Sequence, residues 1–497
     1  MPRTRRALGA ALFSFTALAA ASFAAAEDAA APRPGRFLPR QEELETMPPA
    51  PAPRWQETTA ALRVSRGAFT SVQVNVDALG QNIVGDAANE PSIAVDPADP
   101  TRMVIGWRQF DSISSSFREA GVGRSSDGGA SWTAGTINNG VFRSDPVISV
   151  NRQGDFYYYS LKVINGGAQL RCELYSSSDG GASWPATPVD AFGGDKAWLT
   201  TDLGEAASSQ GVGQLYGVWN TIFSCCGNTG FNRSTTAGAS FESPIALPDE
   251  NFWGTVAVGP DGEVYSAGVS NSNSNLISVV KSVTAQIAGQ SVTFSQPILI
   301  DLGGVPTSND GPNPGGLVGQ VWVDVDRSHG PRRGWVYLVA SLDPPGSDPL
   351  DVFFARSSDG GATWSTPKRL SSVATGWQWF SSLAVSPNGE IDVVWADSRN
   401  DPGGFDSELY HVASSDGGTT WSQEQVLAPA FDPHLGWPQQ SKIGDYYHLV
   451  SDEAAAHLAY AATFGGEENV FYLRIPHSLF ADGFESGSTT RWSSTVP

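Results

Sequence analysis

Carboxylates at Glu90, Asp145, Asp397 and Asp445, guanidiniums at Arg108, Arg143 and Arg399, and the phenol of Tyr446 sit beside the ends of apolar segments. So do the indoles of Trp198, Trp377 and Trp379. Guanidiniums grip a carboxylate through two parallel hydrogen bonds, carboxyl groups act as general acid or base, and indole faces stack on sugar rings. The set therefore suits a carbohydrate. In its sharpest form Tyr446 works with a carboxylate, Glu90 or Asp445, while Arg108 and Arg399 clamp an anion. Arg143, Asp145, Asp397, Trp198, Trp377 and Trp379 are the candidate substrate contacts. Other chemistries lack their residues: the six histidines form no HExxH-like pair, and there is no Gly-x-Ser-x-Gly turn and no phosphate loop. Neither a metal nor a cofactor is expected.

These residues are spread over the chain, so a repeated architecture must gather them. One string recurs as Ser125-Ser-Asp127-Gly-Gly-Ala-Ser-Trp132, and again from Ser177 to Trp184, Ser357 to Trp364 and Ser414 to Trp421. A decayed copy runs from Ser234 to Phe241, with Thr236 at the Asp position. Spacings between these positions are 52, 57, 123 and 57 residues, and the long gap holds one unit without the string, around Phe252 to Ile300. Each copy separates two strand-like runs. Asp followed by Gly-Gly suits a hairpin turn, in which the carboxylate accepts backbone N–H bonds and Gly takes positive φ. That explains the motif structurally, without a catalytic role for its Asp residues.

Upstream of each string lie two more apolar strands joined by a tight turn, such as Pro91–Val95 with Met103–Trp107, and Ser382–Val385 with Ile391–Trp395. Four strands repeating every ~50 residues predict a β-propeller of four-stranded antiparallel blades. Six units fit between residues 88 and 428. Three more strands, near Ile443–Val450, His457–Ala461 and Asn469–Ile475, lack a fourth, and Phe69–Val76 can supply it. Pairing first with last hides two open edges, so seven blades are expected, with six as the alternative.

Successive turns of a blade alternate between two faces, and the Asp strings occupy the third turn. The opposite mouth is then built from the starts of first strands and the ends of second strands. Glu90, Arg108, Arg143, Asp145, Asp195, Lys196, Trp198, Trp377, Trp379, Asp397, Arg399, Lys442, Asp445 and Tyr446 all fall there. Bland roles compete with the sharp ones: Arg399 and Asp397 can pair across neighbouring blades, and Trp377 and Trp379 can pack between them.

The Ser-x-Asp-Gly-Gly-x-x-Trp copies resemble the Asp-box, or bacterial neuraminidase repeat, of sialidases and other secreted propellers. Over residues 88–475 that resemblance implies the propeller, and glycan recognition or sialidase-like hydrolysis, with a non-catalytic carbohydrate- or protein-binding propeller as the alternative. Sialidases carry an Arg-Ile-Pro near their start. Here the triplet occurs at Arg474–Pro476, and no arginine triad or Tyr/Glu pair is assigned by motif.

Residues 1–26 read as a secretory signal, with Arg3, Arg5 and Arg6 before an apolar run and small residues up to Ala26. A flexible Pro/Ala-rich leader at 27–65, the propeller at 66–477 and a short tail at 478–497 follow. Location is expected to be extracellular or periplasmic, and the chain monomeric with no membrane span. Acidic residues outnumber basic ones 51 to 30, for a formal charge of -21, which repels nucleic acid. With 54 Gly and 33 Pro, long helices are excluded. Of the three cysteines, Cys172 is expected to bridge to Cys225 or Cys226, with three free thiols as the alternative.

Overall fold

A computed structural model describes residues 57–477; the expected signal peptide, most of the leader and the tail lie outside the described residues. Apart from one short turn at Asn165–Gly167, every regular element is a strand. Val336–Leu342 shows why: its run, apolar but for Ser341, is buried throughout, because neighbouring blades cover both of its faces. No helix among the described residues is long and apolar enough to cross a membrane.

The strands form seven antiparallel blades in a ring, and the six-bladed alternative is not realised. The innermost strands, in order, are Ala87–Val95, Ser144–Val150, Asp195–Thr201, Phe252–Val258, Trp322–Val325, Gln378–Val385 and His448–Ser451. Phe69–Gln73 pairs with Asn469–Pro476 through Ser71 opposite Leu473 and Val72 opposite Tyr472, so the first strand completes the last blade. Arg63–Arg66 adds a fifth strand outside it, and Thr58–Ala60 pairs with Gln81–Ile83. In the third blade the outermost strand is reduced to a single pairing of Phe231 with Ile245.

Neighbouring inner strands are stitched by short polar side chains. Ser92 Oγ accepts from Ile148 N, Thr255 Oγ1 from Val323 N, and Ser382 Oγ from Leu449 N. An aromatic plug joins distant blades: Trp198 meets Trp322, His448 and Tyr446 edge-on at 4.9, 5.0 and 5.4 Å. Burial lowers the His448 imidazole to about 3, so it is neutral, and its Nδ1 accepts from Ile93 N.

The four intact strings share one geometry. In the first, Asp127 Oδ1 accepts from Ser125 Oγ at 2.7 Å and Ser131 N at 2.9 Å, and Oδ2 accepts from Ser131 Oγ at 2.6 Å. Ser125 Oγ in turn accepts from Gly129 N. Gly129 has φ +82°, and a Cβ there would stand 2.0 Å from the Tyr472 ring of the adjoining blade, so the turn is also an inter-blade contact. Both carboxylate oxygens of the Asp are engaged inside the turn. In the decayed copy Thr236 Oγ1 still accepts from Ser240 N at 3.0 Å. The unit without the string keeps the same logic: Ser282 Oγ accepts from Ala285 N, Thr284 Oγ1 accepts from Thr293 N, and Phe294 packs on Phe231 where the others place Trp or Phe.

The cysteine expectation is corrected. Cys225 and Cys226 are bonded to each other, and Cys172 is a buried free thiol. The adjacent pair lies in the irregular segment between Leu215–Asn220 and Phe231–Ser234 rather than in a strand, which removes the objection that strand geometry raises. Cys172 is turned instead to the Gly194 carbonyl.

Candidate functional site

Inner strands begin with a kink. Glu90, Asp145, Lys196, Trp253 and Phe380 occupy the same position in their blades, at φ of 49°, 45°, 48°, 48° and 52°. All five are accompanied by a register shift in the strand pairing. A left-handed backbone at a residue with a Cβ costs roughly 1 kcal/mol, and such bulges re-aim side chains. Here they bring three charged groups of successive blades together.

Glu90 Oε1 lies 3.1 Å from Arg108 and 3.4 Å from Lys442. Lys442 reaches Asp445 at 2.8 Å, and Lys196 reaches the same carboxylate at 3.0 Å and Asp195 at 3.3 Å. Asp145 accepts from Ser144 Oγ, which also accepts from Arg118 Nε. Tyr446 donates to the Pro146 carbonyl at 2.9 Å. Thus Glu90, Arg108, Asp145, Asp445 and Tyr446 converge, joined by Lys196, Lys442 and Arg118. Glu90 and Arg108 have no exposed surface.

The cover is a hairpin of Ser308–Asp310 and Asn313–Leu317, from the connection between blades four and five. Its Asn313 donates to Gly444 O and accepts from Ile443 N, and Leu317 N donates to Asp445 Oδ1. A Cβ at Gly316 would lie 2.5 Å from Asp445 Oδ1. The hairpin closes on the cluster because Gly316 lets its backbone approach Gly444 and the Asp445 carboxylate.

Burial drives the carboxyls apart. It pushes Glu90 up to about 8, against the pull of Arg108. Burial also opposes ionisation of Asp145 and Asp445, but Lys196 and Arg108 hold Asp145 at about 2, and Lys196 and Lys442 hold Asp445 well below the usual carboxylate range. Burial thus holds Glu90 toward its acid form while cations hold Asp145 and Asp445 toward their ionised forms.

The remaining candidates lie elsewhere. Arg399 is clasped by Asp397 and Glu424, both at 2.6 Å, and its guanidinium lies over the Tyr410 ring. All four belong to the sixth blade, so the pairing runs within a blade rather than across two. Arg143 pairs with Glu173 at 2.6 Å and donates to Tyr175. Trp198 is in the axial plug, and Trp379 is fully buried with its Nε1 donating to Ser407.

Trp377 is only half-buried, and it begins a row that the sequence reading missed. Its ring lies 6.3 Å from Phe405, Phe405 lies 4.8 Å from His434, and His434 lies 5.0 Å from Trp437. All four rings are partly exposed, and Leu435 beside them is 42% exposed. His434 Nε2 meets the Gly311 carbonyl at 3.2 Å, and Gly311 abuts the Trp377 indole, so the cap hairpin touches both the row and the charge cluster. Phe405, His434 and Trp437 lie in the segments after Ile391–Asp397 and Gln425–Phe431, which the alternation of turns assigns to the mouth face. That rule was the signal available for finding them.

No protein-family model matches the chain, and no curated protein matches it. Among solved structures it is similar to a protein of unknown function from Dyadobacter fermentans, at 16% identity and TM-score 0.46, covering 84% of this chain and 99% of that one. A Hadza microbial sialidase is similar at 14% identity and TM-score 0.42, covering 78% and 66%. An α-L-arabinofuranosidase from Fusarium graminearum solved with an iminosugar inhibitor is similar at 13% identity and TM-score 0.42, covering 84% and 98%. At these identities no residue role carries over.

Proposed function

We propose that this chain is an exported propeller that recognises glycans on the face opposite its Asp turns. One observation carries the reading: four partly exposed rings, Trp377, Phe405, His434 and Trp437, stand in contact on that face. Contiguous exposed aromatics are costly to leave in water and match the apolar faces of sugar rings. The buried ions favour recognition over turnover, because the charged groups of the cluster already have internal partners and the cap hairpin closes over them. A glycan panel tests this. The wild-type chain binds at least one oligosaccharide, and Trp437→Ala weakens it about tenfold or more; a chain that binds no glycan sinks the reading.

A second reading, sialidase-like hydrolysis at the mouth, rests on the opposed protonation of Glu90 and its ionised neighbours Asp145 and Asp445. Two carboxyls driven to opposite states divide the acid and base roles of glycoside cleavage. This reading needs the hairpin to lift. It predicts release of the fluorophore from a fluorogenic sialoside, lost in Glu90→Gln, while Arg399→Ala, far from the cluster, keeps it. An inert wild type removes it.

A further inference from the structure

Three carboxylates border the aromatic row. Asp406 follows Phe405 in the chain and is exposed, Asp401 accepts from Asp406 N through Oδ2, and Asp432 accepts from His434 N through Oδ1. Several acidic groups near the mouth are matched, Asp397 and Glu424 by Arg399, Glu173 by Arg143 and Asp445 by two lysines. Among the described residues no cation pairs with Asp401, Asp406 or Asp432. Slight burial and then the charges of Asp432 and Asp401 raise the carboxyl of Asp406, as expected for neighbours that repel without relief. The row is thus an apolar platform with an uncompensated negative border.

From this charge complementarity we propose that the row binds an amino sugar, an oligosaccharide of glucosamine type bearing free ammonium groups. The inference rests on the reading of the row as a glycan site and names the class of glycan. The flat carbon face of the pyranose covers Phe405, His434 and Trp437, and the ammonium reaches Asp406 and Asp432. An ammonium over an aromatic face gains cation–π attraction as well as the charge-assisted hydrogen bond. A lysine-rich peptide offers the charge without a rigid apolar face, and a neutral glycan offers the face without the charge. The chain's formal charge of -21 steers a polycationic glycan toward it and holds anionic glycans off.

The experiment titrates four probes into the wild-type chain at about pH 6, where amines are protonated and ordinary carboxylates ionised. They are a glucosamine hexamer, its N-acetylated counterpart, a neutral glucose hexamer and a lysine hexapeptide. The glucosamine hexamer binds about tenfold or more tightly than its acetylated form, the effect of one charge-assisted contact. Asp406→Asn and Asp432→Asn each remove most of that preference, while Trp437→Phe keeps the preference and Trp437→Ala weakens every sugar. Equal binding of the two glucosamine forms overturns the inference but leaves glycan recognition standing. Equal binding of the lysine hexapeptide also overturns it, since charge alone is then being read. If no sugar binds, the glycan reading falls with it.

Discussion

Thr236 stands where four other turns place aspartate, and its hydroxyl accepts from one backbone N–H where the carboxylate accepts from a backbone N–H and two hydroxyls. Thr236→Asp should therefore restore the missing acceptor and stabilise the chain by about 1 kcal/mol, read as a higher urea midpoint; no gain would mean that the Asp turns hold little of the blade. At the mouth, Arg108→Met leaves Glu90 and the Asn89 side-chain carbonyl buried without their guanidinium and should cost about 1–3 kcal/mol or more. A cost within 1 kcal/mol would show that the cluster is not a structural clamp. The structural role of the Asp strings was legible because turn chemistry is local: Ser125, Asp127 and Gly129 satisfy one another within five residues. The partners of Arg399 were not. A strand end tells which face a side chain occupies, but whether it meets its own blade or the next depends on radial position, which period-2 patterning does not encode.

Among the elements, the strand that closes the last blade ends at a second ion cluster. Asp392, fully buried in the sixth blade, accepts from Ser451 Oγ and lies 2.9 Å from both His411 Nε2 and His477 Nε2. Burial alone would lower His477 and raise Asp392; the Asp392 hydrogen bond and charge raise His477, and the two imidazoles hold Asp392 below its ordinary value. The other groups facing His477 are Glu390, whose charge raises it further, and the Glu453 carbonyl. A raised histidine stabilises the fold fully below its unfolded value, near 6.5, and loses that contribution as pH climbs through the folded one; a depressed aspartate contributes above about 3.9 and loses it as pH falls. The urea midpoint should thus be higher at about pH 5.5 than at about pH 9, and His477→Gln should remove this component. An unchanged pH dependence in the variant would sink the assignment. The cap hairpin was the element least legible in the sequence. Its residues from Thr307 to Leu317 carry turn signals, yet their partners lie more than a hundred residues away, at Ile443, Gly444 and Asp445. That cover helps to bury the mouth cluster.

At the scale of the whole molecule, closure was legible because three terminal strands lacked a fourth and an early apolar strand was left over. Phe69–Gln73 does fill the gap. A chain beginning at Ala78 should leave the edge of Asn469–Pro476 unpaired and accumulate as aggregate, measured by light scattering; a monomeric, cooperatively folding truncation would contradict the closure. Export is tested by the N-terminus of the protein recovered outside the cytoplasm, which should be Glu27; a chain retained with Met1 would count against it. The aromatic row escaped the sequence because Phe405, His434 and Trp437 lie in irregular segments, where no periodicity marks which rings will meet. Glycan recognition turns on that row, and a crystal structure of the chain soaked with a glucosamine oligomer tests it most directly. Sugar density over Phe405, His434 and Trp437, with a nitrogen near Asp406, is the expected result. Density among the Asp turns on the other face, or none at a saturating concentration, would contradict it.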